Sequence, residues 1–356
     1  MSQTHWAVFC RVVDNHGDLG VCWRLATQLA ERGKRVTLYV DDASALSWMA
    51  PVGCAGVTLL AWPAEATTFD SNALPQVVIE AFGCELPQGF QAAMAQATQA
   101  PVWINLEYFS AETSALRNHG LPSPQMSGPA KGMIKWFFYP GLSPHSGGVL
   151  GPGPDGRSGM AQPLSPSSTH PARMPNDPLN ISLFCYEPAS LGRWLSQLDQ
   201  QTTPVHLRVT AGRATAAVRQ ALLAWPAPPR FTLDELPYLA HPAFDQMLAE
   251  QDLNLVRGED SLVRAMWAGK AFLWHIYPQD DGAHGPKLQA FLQASQAPPV
   301  VVQAHLAWNA DQATPLPALT PSVMAEWTAW GQSLRARLQA ETDLLSRLEG
   351  FVAAHG

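Results

Sequence analysis

A short run of acids and glycines lies near the start of the sequence, where a strand pattern gives way to a helix pattern. It reads DNHGDLG at residues 14–20. Gly17 permits a tight turn there and lets a ligand approach the backbone closely. Asp14 and Asp18 are then placed to act on that ligand, although a carboxylate at this position can also simply cap the helix. Both interpretations of Asp18 are open at this point.

A second strand-to-helix junction reads RGEDS at residues 257–261. Backbone N–H groups at a helix start, together with the Ser261 hydroxyl, form an anion site, and Arg257 adds a guanidinium suited to phosphate. Glu259 and Asp260 would repel a bare phosphate. They fit a sugar hydroxyl better, or they serve only to cap a core helix. The segment predicts either a site for a sugar phosphate or a capped helix.

The elements that must position these junctions alternate along the chain. Apolar runs of strand length are separated by helical patterns such as the one over 19–32, which predicts parallel sheets covered by helices. The predicted strands span 6–13, 36–41, 77–80, 102–105, 136–139, 181–186, 205–210, 253–257 and 272–276. Ligands of such sheets bind at the carboxyl ends of the strands, where both junctions lie.

The length of 356 residues predicts two domains. We expect one α/β domain over 1–150 and a second over 179–320. A Pro-, Gly- and Ser-rich segment at 151–178 is interpreted as a linker or insertion. An apolar stripe over 321–356 predicts one long helix that packs back toward the N-terminal domain.

Composition excludes several classes of protein. The net charge of −7 gives no support to nucleic-acid binding, and no apolar run is long enough to span a membrane. Five cysteines, an odd number with no CxxC, argue against a zinc site or a disulfide framework. We therefore expect a cytoplasmic protein that binds neither nucleic acid nor membrane.

Five segments together resemble the bacterial protein-arginine rhamnosyltransferases of the EarP family. They are DNHGDLGVCWRLA, VIEAFGCELP, INLEYFSAE, SLFCYE and NLVRGEDSLVRAMWAGKAFLWHIYPQ, in the family's order. The resemblance implies a GT-B glycosyltransferase fold with two Rossmann-like domains facing a central cleft. The N-terminal domain over 1–150 would bind the acceptor, and the C-terminal domain over 179–320 would bind the nucleotide-sugar. The same resemblance implies inverting transfer of L-rhamnose from TDP-β-L-rhamnose to one arginine of elongation factor P, which supports translation of polyproline stretches.

The resemblance also implies roles for individual carboxylates. Asp18 matches the family's proposed general base, and Asp14 matches its companion acid. Glu259 is a third candidate catalytic residue and belongs, with Asp260 and Ser261, to the run that binds the donor diphosphate. No metal and no other cofactor is implied, and the sequence contains no strong DxD-type metal motif.

The remaining donor-binding residues are implied in the same way. Arg257 precedes the diphosphate run, and Gly17 lies in the glycine turn. Phe184 and Tyr186 match aromatic positions around the donor. Tyr238 and His241 match a residue that stacks on thymine and a position where relatives often have Gln. An imidazole there can still donate or accept a hydrogen bond.

Two other functions compete with this interpretation. One is a GT-B glycosyltransferase for a small-molecule acceptor, which would favour an apolar acceptor surface. The other is a non-catalytic, nucleotide-sugar-dependent binder of a translation factor, which would have little use for Asp18. A nicotinamide dehydrogenase is disfavoured because no GxGxxG follows the first strand.

Overall fold

The fold was obtained as a computed structural model that describes residues 3–13, 16–64, 67–152, 177–278, 282 and 284–356. The chain divides into two compact units. Unit 1 comprises Met1–Pro154 together with Ala340–Gly356, and unit 2 comprises Asp155–Gln339. Both Asp14 and nearly all of the predicted linker at 151–178 lie outside the described residues.

Unit 1 is an α/β unit whose sheet has the described strand order β3-β2-β1-β4-β5-β7-β6. Its strands pair in parallel except for the antiparallel β6–β7 pair. The elements are β1 His5–Cys10, α1 Gly17–Glu31, β2 Arg35–Val40, α2 Leu46–Met49, β3 Val57–Ala61, β4 Val77–Ala81, α3 Gln88–Gln96, β5 Val102–Leu106, α4 Thr113–Asn118, β6 Pro122–Pro124, β7 Ile134–Phe138 and α12 Leu344–His355.

Strand β1 shows how this sheet is buried on both faces. Trp6, Val8 and Cys10 belong to one apolar cluster, and Ala7 and Phe9 belong to another. This alternation follows from the two-residue period of a strand. Helices α1 and α12 contribute to the first cluster, and α3 contributes to the second.

Unit 2 contains a parallel sheet with the described order β10-β9-β8-β11-β12. Its elements are β8 Leu179–Leu183, α5 Leu191–Asp199, β9 Val205–Val209, α6 Arg213–Leu222, β10 Thr232–Glu235, α7 His241–Glu250, β11 Leu253–Arg257, α8 Gly258–Ala268, β12 Ala271–His275, α9 His284–Ala294, α10 Pro299–Trp308 and α11 Pro321–Ala340. Helix α11 is fixed by two indole N–H groups: Trp327 donates to the Phe272 carbonyl and Trp330 to the Ser295 carbonyl.

The C-terminal segment differs from the single helix predicted over 321–356. It forms two helices, α11 and α12, with a break after Ala340. The break has a local cause, because the Asp343 carboxylate accepts a hydrogen bond from the Ser346 backbone N–H at 2.6 Å and caps a new helix. The apolar stripe is therefore shared: α11 belongs to unit 2 up to Gln339, and α12 belongs to unit 1.

Candidate functional site

The two sheets share a topological feature that places the candidate residues. In unit 1 the strand order reverses at β1, which lies between β2 and β4, and in unit 2 it reverses at β8, which lies between β9 and β11. Loops diverge at such a point and leave a ligand-binding crevice at the carboxyl ends of the strands. Asp18 follows β1, and the RGEDS segment begins at the last residue of β11, the strand beside β8, so both lie at these positions.

Asp18 is a buried carboxylate held at both oxygens. Its side chain is in the first turn of α1 and is only 2 % exposed. The Val13 backbone N–H donates to Oδ2 at 2.8 Å, and the Tyr108 hydroxyl donates to Oδ1 at 3.1 Å. The N-cap of α1 is His16, so Asp18 is not the N-cap residue of this helix. Gly17, the first residue of α1, is where the chain turns into the helix.

Further polar side chains lie where β4 and β5 end. Glu80 is fully buried and accepts hydrogen bonds from the Trp103 indole at 3.0 Å and from Lys135 at 3.2 Å. The Asn105 amide donates to Glu107 at 2.6 Å. Burial raises the pKa of Glu107, against the opposing effect of that hydrogen bond. Two further carboxyl groups therefore lie at this end of unit 1, and one of them, Glu80, is already paired with Lys135.

In unit 2 the Arg257 guanidinium lies against two aromatic rings. Its central carbon is 4.5 Å from the centre of the Phe184 ring and 4.8 Å from that of Tyr186. It also donates to the Cys185 backbone carbonyl at 3.2 Å and is only 8 % exposed. Stacking and burial fix the plane of the guanidinium, which is the preorganisation that two-pronged phosphate binding needs. The structure thus brings three predicted donor residues, Phe184, Tyr186 and Arg257, together.

The first turn of α8 carries two carboxylates, and each is paired with a cation. Glu259 pairs with Lys287 of α9. Asp260 accepts from Arg264 Nε at 2.7 Å, and Arg264 also pairs with the buried Asp245 at 2.7 Å. Burial opposes the charge of Arg264, but the two carboxylates raise its pKa. These cations offset the repulsion that the sequence predicts between Glu259, Asp260 and a phosphate.

Ser261 plays a local part in forming the same turn. Its hydroxyl accepts from the Arg257 backbone N–H at 3.1 Å and donates to the Arg257 carbonyl. The abrupt passage from β11 to α8 also needs Gly258, whose φ of +64° lies in the left-handed region. Together they leave the α8 N-terminus directly at the end of β11.

Tyr238 and His241 lie before and at the start of α7. Tyr238 is half-exposed, and a Cβ added at Gly212, the N-cap of α6, would lie 3.3 Å from its hydroxyl. His241 is the first residue of α7. Arg213, which follows Gly212 and begins α6, has its guanidinium carbon 5.0 Å from the centre of the Tyr186 ring. The N-terminus of α6 therefore borders both Tyr186 and Tyr238.

The sequence alone does not reveal several side chains that hydrogen-bond or ion-pair with the predicted site residues. The hydrogen bond from Tyr108 to Asp18 has no sequence signal beyond the position of Tyr108 just after β5. Lys287 and Arg264 gave no signal because ion pairing between separate helices leaves no fixed spacing. The Asp260–Arg264 pair is the exception, since its i,i+4 spacing on α8 is readable.

Two kinds of feature are absent from the described part of the chain. No helix there is long and apolar enough to cross a membrane. No group of three or more His, Cys, Asp or Glu side chains among those residues is arranged to hold a metal ion.

The chain is similar in sequence to several proteins that carry the same name. A protein-arginine rhamnosyltransferase from Pseudomonas putida is 39 % identical over 377 residues, covering 97 % of this chain and 98 % of the relative. Another from Pseudomonas aeruginosa is 41 % identical and covers 81 % of each chain. The sequence resemblance to these rhamnosyltransferases is thereby confirmed.

Solved structures agree with the predicted fold. One, described as "Structural basis for EarP-mediated arginine glycosylation of translation elongation factor EF-P", has a TM-score of 0.61 at 28 % identity and covers 99 % of both chains. The spinosyn rhamnosyltransferase SpnG complexed with thymidine diphosphate has a TM-score of 0.53 at 14 % identity, covering 98 % of this chain and 99 % of that one. Such neighbours confirm the GT-B fold with two Rossmann-like units. The family model for the elongation-factor P (EF-P) rhamnosyltransferase EarP matches residues 6–353, and the chain belongs to this family of protein-arginine rhamnosyltransferases.

Proposed function

We propose that this protein transfers L-rhamnose from TDP-β-L-rhamnose to an arginine side chain of elongation factor P, with inversion at the sugar carbon. Family membership supports the reaction class. The observation that carries the proposal is Asp18, a buried carboxylate oriented at both oxygens. Such a group suits a general base that acts on a cationic acceptor.

The acceptor explains why a fixed carboxylate is needed. A guanidinium is protonated at any cellular pH, with a pKa above ~12, and its nitrogen lone pairs are delocalised. In the proposed step one guanidinium nitrogen forms a bond to C1 of rhamnose as the bond from C1 to the diphosphate oxygen breaks. The bonding pair leaves with TDP, and Asp18 takes the proton of the attacking nitrogen. A single displacement of this kind inverts C1.

Unit 2 supplies the complementary role in this proposal. The Arg257 guanidinium and the N-terminal N–H groups of α8 bind the diphosphate and stabilise the charge that develops as it leaves. The charges of Glu259 and Asp260 are offset by Lys287 and Arg264. Both carboxylates accept hydrogen bonds from hydroxyl groups of the donor, either on the transferred sugar or on the pentose of the nucleotide. Phe184, Tyr186, Tyr238 and His241 surround the rest of the donor.

Two further features complete the proposal. Asp14 acts as the companion acid of Asp18. No metal takes part, because a guanidinium and a helix N-terminus perform the charge stabilisation that a cation would otherwise give. TDP is therefore expected to bind with equal affinity with and without a chelator, and a strict metal requirement would contradict this. An elongation factor as acceptor places the protein in the cytoplasm, where the modification supports translation of polyproline stretches.

The test uses purified elongation factor P, TDP-rhamnose and the full-length protein. Intact mass spectrometry is expected to show a gain of one deoxyhexose on the factor, and none on a factor whose target arginine is replaced by lysine. A parallel reaction with free arginine tests the small-molecule alternative. No mass gain on elongation factor P would refute the proposal, and TDP binding without any transfer would favour the non-catalytic binder.

A further inference from the structure

The orientation of Asp18 depends on one side chain from another part of unit 1. Its Oδ2 is held by the backbone of its own junction, through Val13, but its Oδ1 accepts from the hydroxyl of Tyr108, which follows β5. The two bonds approach different oxygens, so together they fix both the position and the plane of the carboxylate. A base is effective only when its accepting oxygen is kept in line with the proton to be taken.

Tyr108 is in turn held by a ring beneath it. Its ring stacks on Phe82 with centres 4.2 Å apart and planes within 9°. Phe82 has a φ of +57°, a left-handed conformation that is unfavourable for a side chain of this size. The surrounding structure maintains it: Phe82 N–H donates to the Leu106 carbonyl at 2.7 Å, and Gly83 N–H donates to the Asn105 side chain at 3.1 Å.

This strained turn is informative because unfavourable backbone persists only where neighbouring contacts impose it, and such positions cluster at functional sites. Here the contacts run from Asn105 on β5, through the turn after β4, to the ring of Tyr108 and then to Asp18. All of them lie inside unit 1.

We propose that Tyr108 is a positioning residue that orients Asp18 for proton abstraction, and that Phe82 holds Tyr108 in place for this task. The inference rests on the proposed function, in which Asp18 is the base. Tyr108 acts through Asp18 and leaves donor binding in unit 2 untouched.

The test is a double-mutant cycle on the full-length protein, with single-turnover transfer to elongation factor P, TDP affinity and melting temperature measured on each variant. Tyr108→Phe keeps the stacked ring and removes only the hydroxyl. It is expected to slow transfer roughly tenfold, as for loss of a hydrogen bond to a charged group, with unchanged TDP affinity. In an Asp18→Asn background the same change is expected to cost nothing further, because the residue it orients is no longer a base.

The chain offers a matched control in Tyr39. It lies in the same unit and is stacked in the same way, on Phe9 at 4.4 Å and 11°. Tyr39→Phe is expected to transfer rhamnose at the wild-type rate. Phe82→Leu is expected to slow transfer a few-fold alone and not at all when combined with Tyr108→Phe.

The outcomes separate the inference from the function beneath it. Absence of transfer by the wild-type protein refutes the proposed function before any variant is made. An active wild type with a fully active Tyr108→Phe variant overturns the inference alone. So does a Tyr108→Phe loss of equal size in both backgrounds, because the hydroxyl would then act on another group. A drop in melting temperature with unchanged transfer would assign Tyr108 a purely structural role.

Discussion

The strand-order reversals of the two units share a topology and carry opposite chemistry. In unit 1 the helix after β1 begins beside a carboxylate that accepts from a phenol. In unit 2 the helix after β11 begins beside a guanidinium stacked on two rings, and the carboxylates that follow are paired with cations. The fold therefore determines where a ligand can bind, and the side chains decide which charge is bound there.

The largest expected effect is on the carboxylate of unit 1. Asp18→Asn keeps the shape of the side chain but cannot take a proton, so single-turnover transfer is expected to fall by at least ~10²-fold. TDP affinity and melting temperature are expected to stay close to wild type. If TDP affinity falls as well, the division of tasks between the units is wrong. If transfer is unaffected, Asp18 is structural.

The next largest expected effect is the loss of stability of unit 2 at acidic pH, through a histidine buried in its core. His305 is fully buried, and burial lowers its pKa to about 4. The unfolded state, with an ordinary pKa near 6.5, therefore takes up the proton first as the pH falls, and stability is lost between about pH 6.5 and pH 4.

His305→Gln removes this proton uptake. Between pH 8 and pH 5 the free energy of unfolding of the wild type is expected to fall by about 2 kcal/mol more than that of the variant. Urea unfolding at the two pH values measures the difference. Parallel losses in both proteins would show that His305 is not the group that takes up the proton.

A smaller effect tests the guanidinium of unit 2. Arg257→Lys keeps the charge but loses both the planar fork and the stacking on Phe184 and Tyr186, so TDP affinity is expected to weaken roughly tenfold. Isothermal titration measures it. Arg219→Lys is the matched control, because Arg219 pairs with Glu235 on the exposed surface of the same unit. Equal TDP affinity in wild type and Arg257→Lys would remove Arg257 from the donor site.

The smallest effect compares two strained residues. Gln296 has a φ of +56°, close to that of Phe82, but it is exposed and lies two residues after the end of α9, where glycine is favoured. Gln296→Gly is expected to raise the free energy of unfolding by about 0.5–1 kcal/mol with unchanged transfer. Phe82→Gly relieves the same strain but removes the ring under Tyr108, so transfer is expected to fall. An activity loss in Gln296→Gly would break the contrast.

The sequence predicted the buried strands, including the edge strand β12, and missed the exposed edge strands. β1, β4, β8 and β11 lie inside their sheets and are largely buried, so apolar residues predominate in each. The strands that were missed, β3, β6 and β10, are largely exposed. An exposed edge strand has little burial to impose a pattern, so its residues differ little from those of a loop.

The candidate site also contains residues that could be recognised in the sequence and contacts that could not. Asp18 and Arg257 could be found because each lies at a junction whose glycines and charges are adjacent in sequence. The Tyr108–Asp18 and Lys287–Glu259 contacts join residues far apart in the chain, and only the folded backbone brings them together. The role of Asp14 stays a prediction, since it lies outside the described residues.

Helix α12 delays the completion of unit 1 during synthesis. Leu344, Leu345 and Leu348 are buried in the same cluster as Trp6 and Val8, and Arg32 of the first segment pairs with Asp343 and Glu349. A ribosome adding ~5–20 residues per second makes the second unit between these two parts, a delay of roughly 10–40 s. The unit whose synthesis begins first therefore waits with an incomplete core, and the nascent chain can bury that surface only after all of unit 2 has been made.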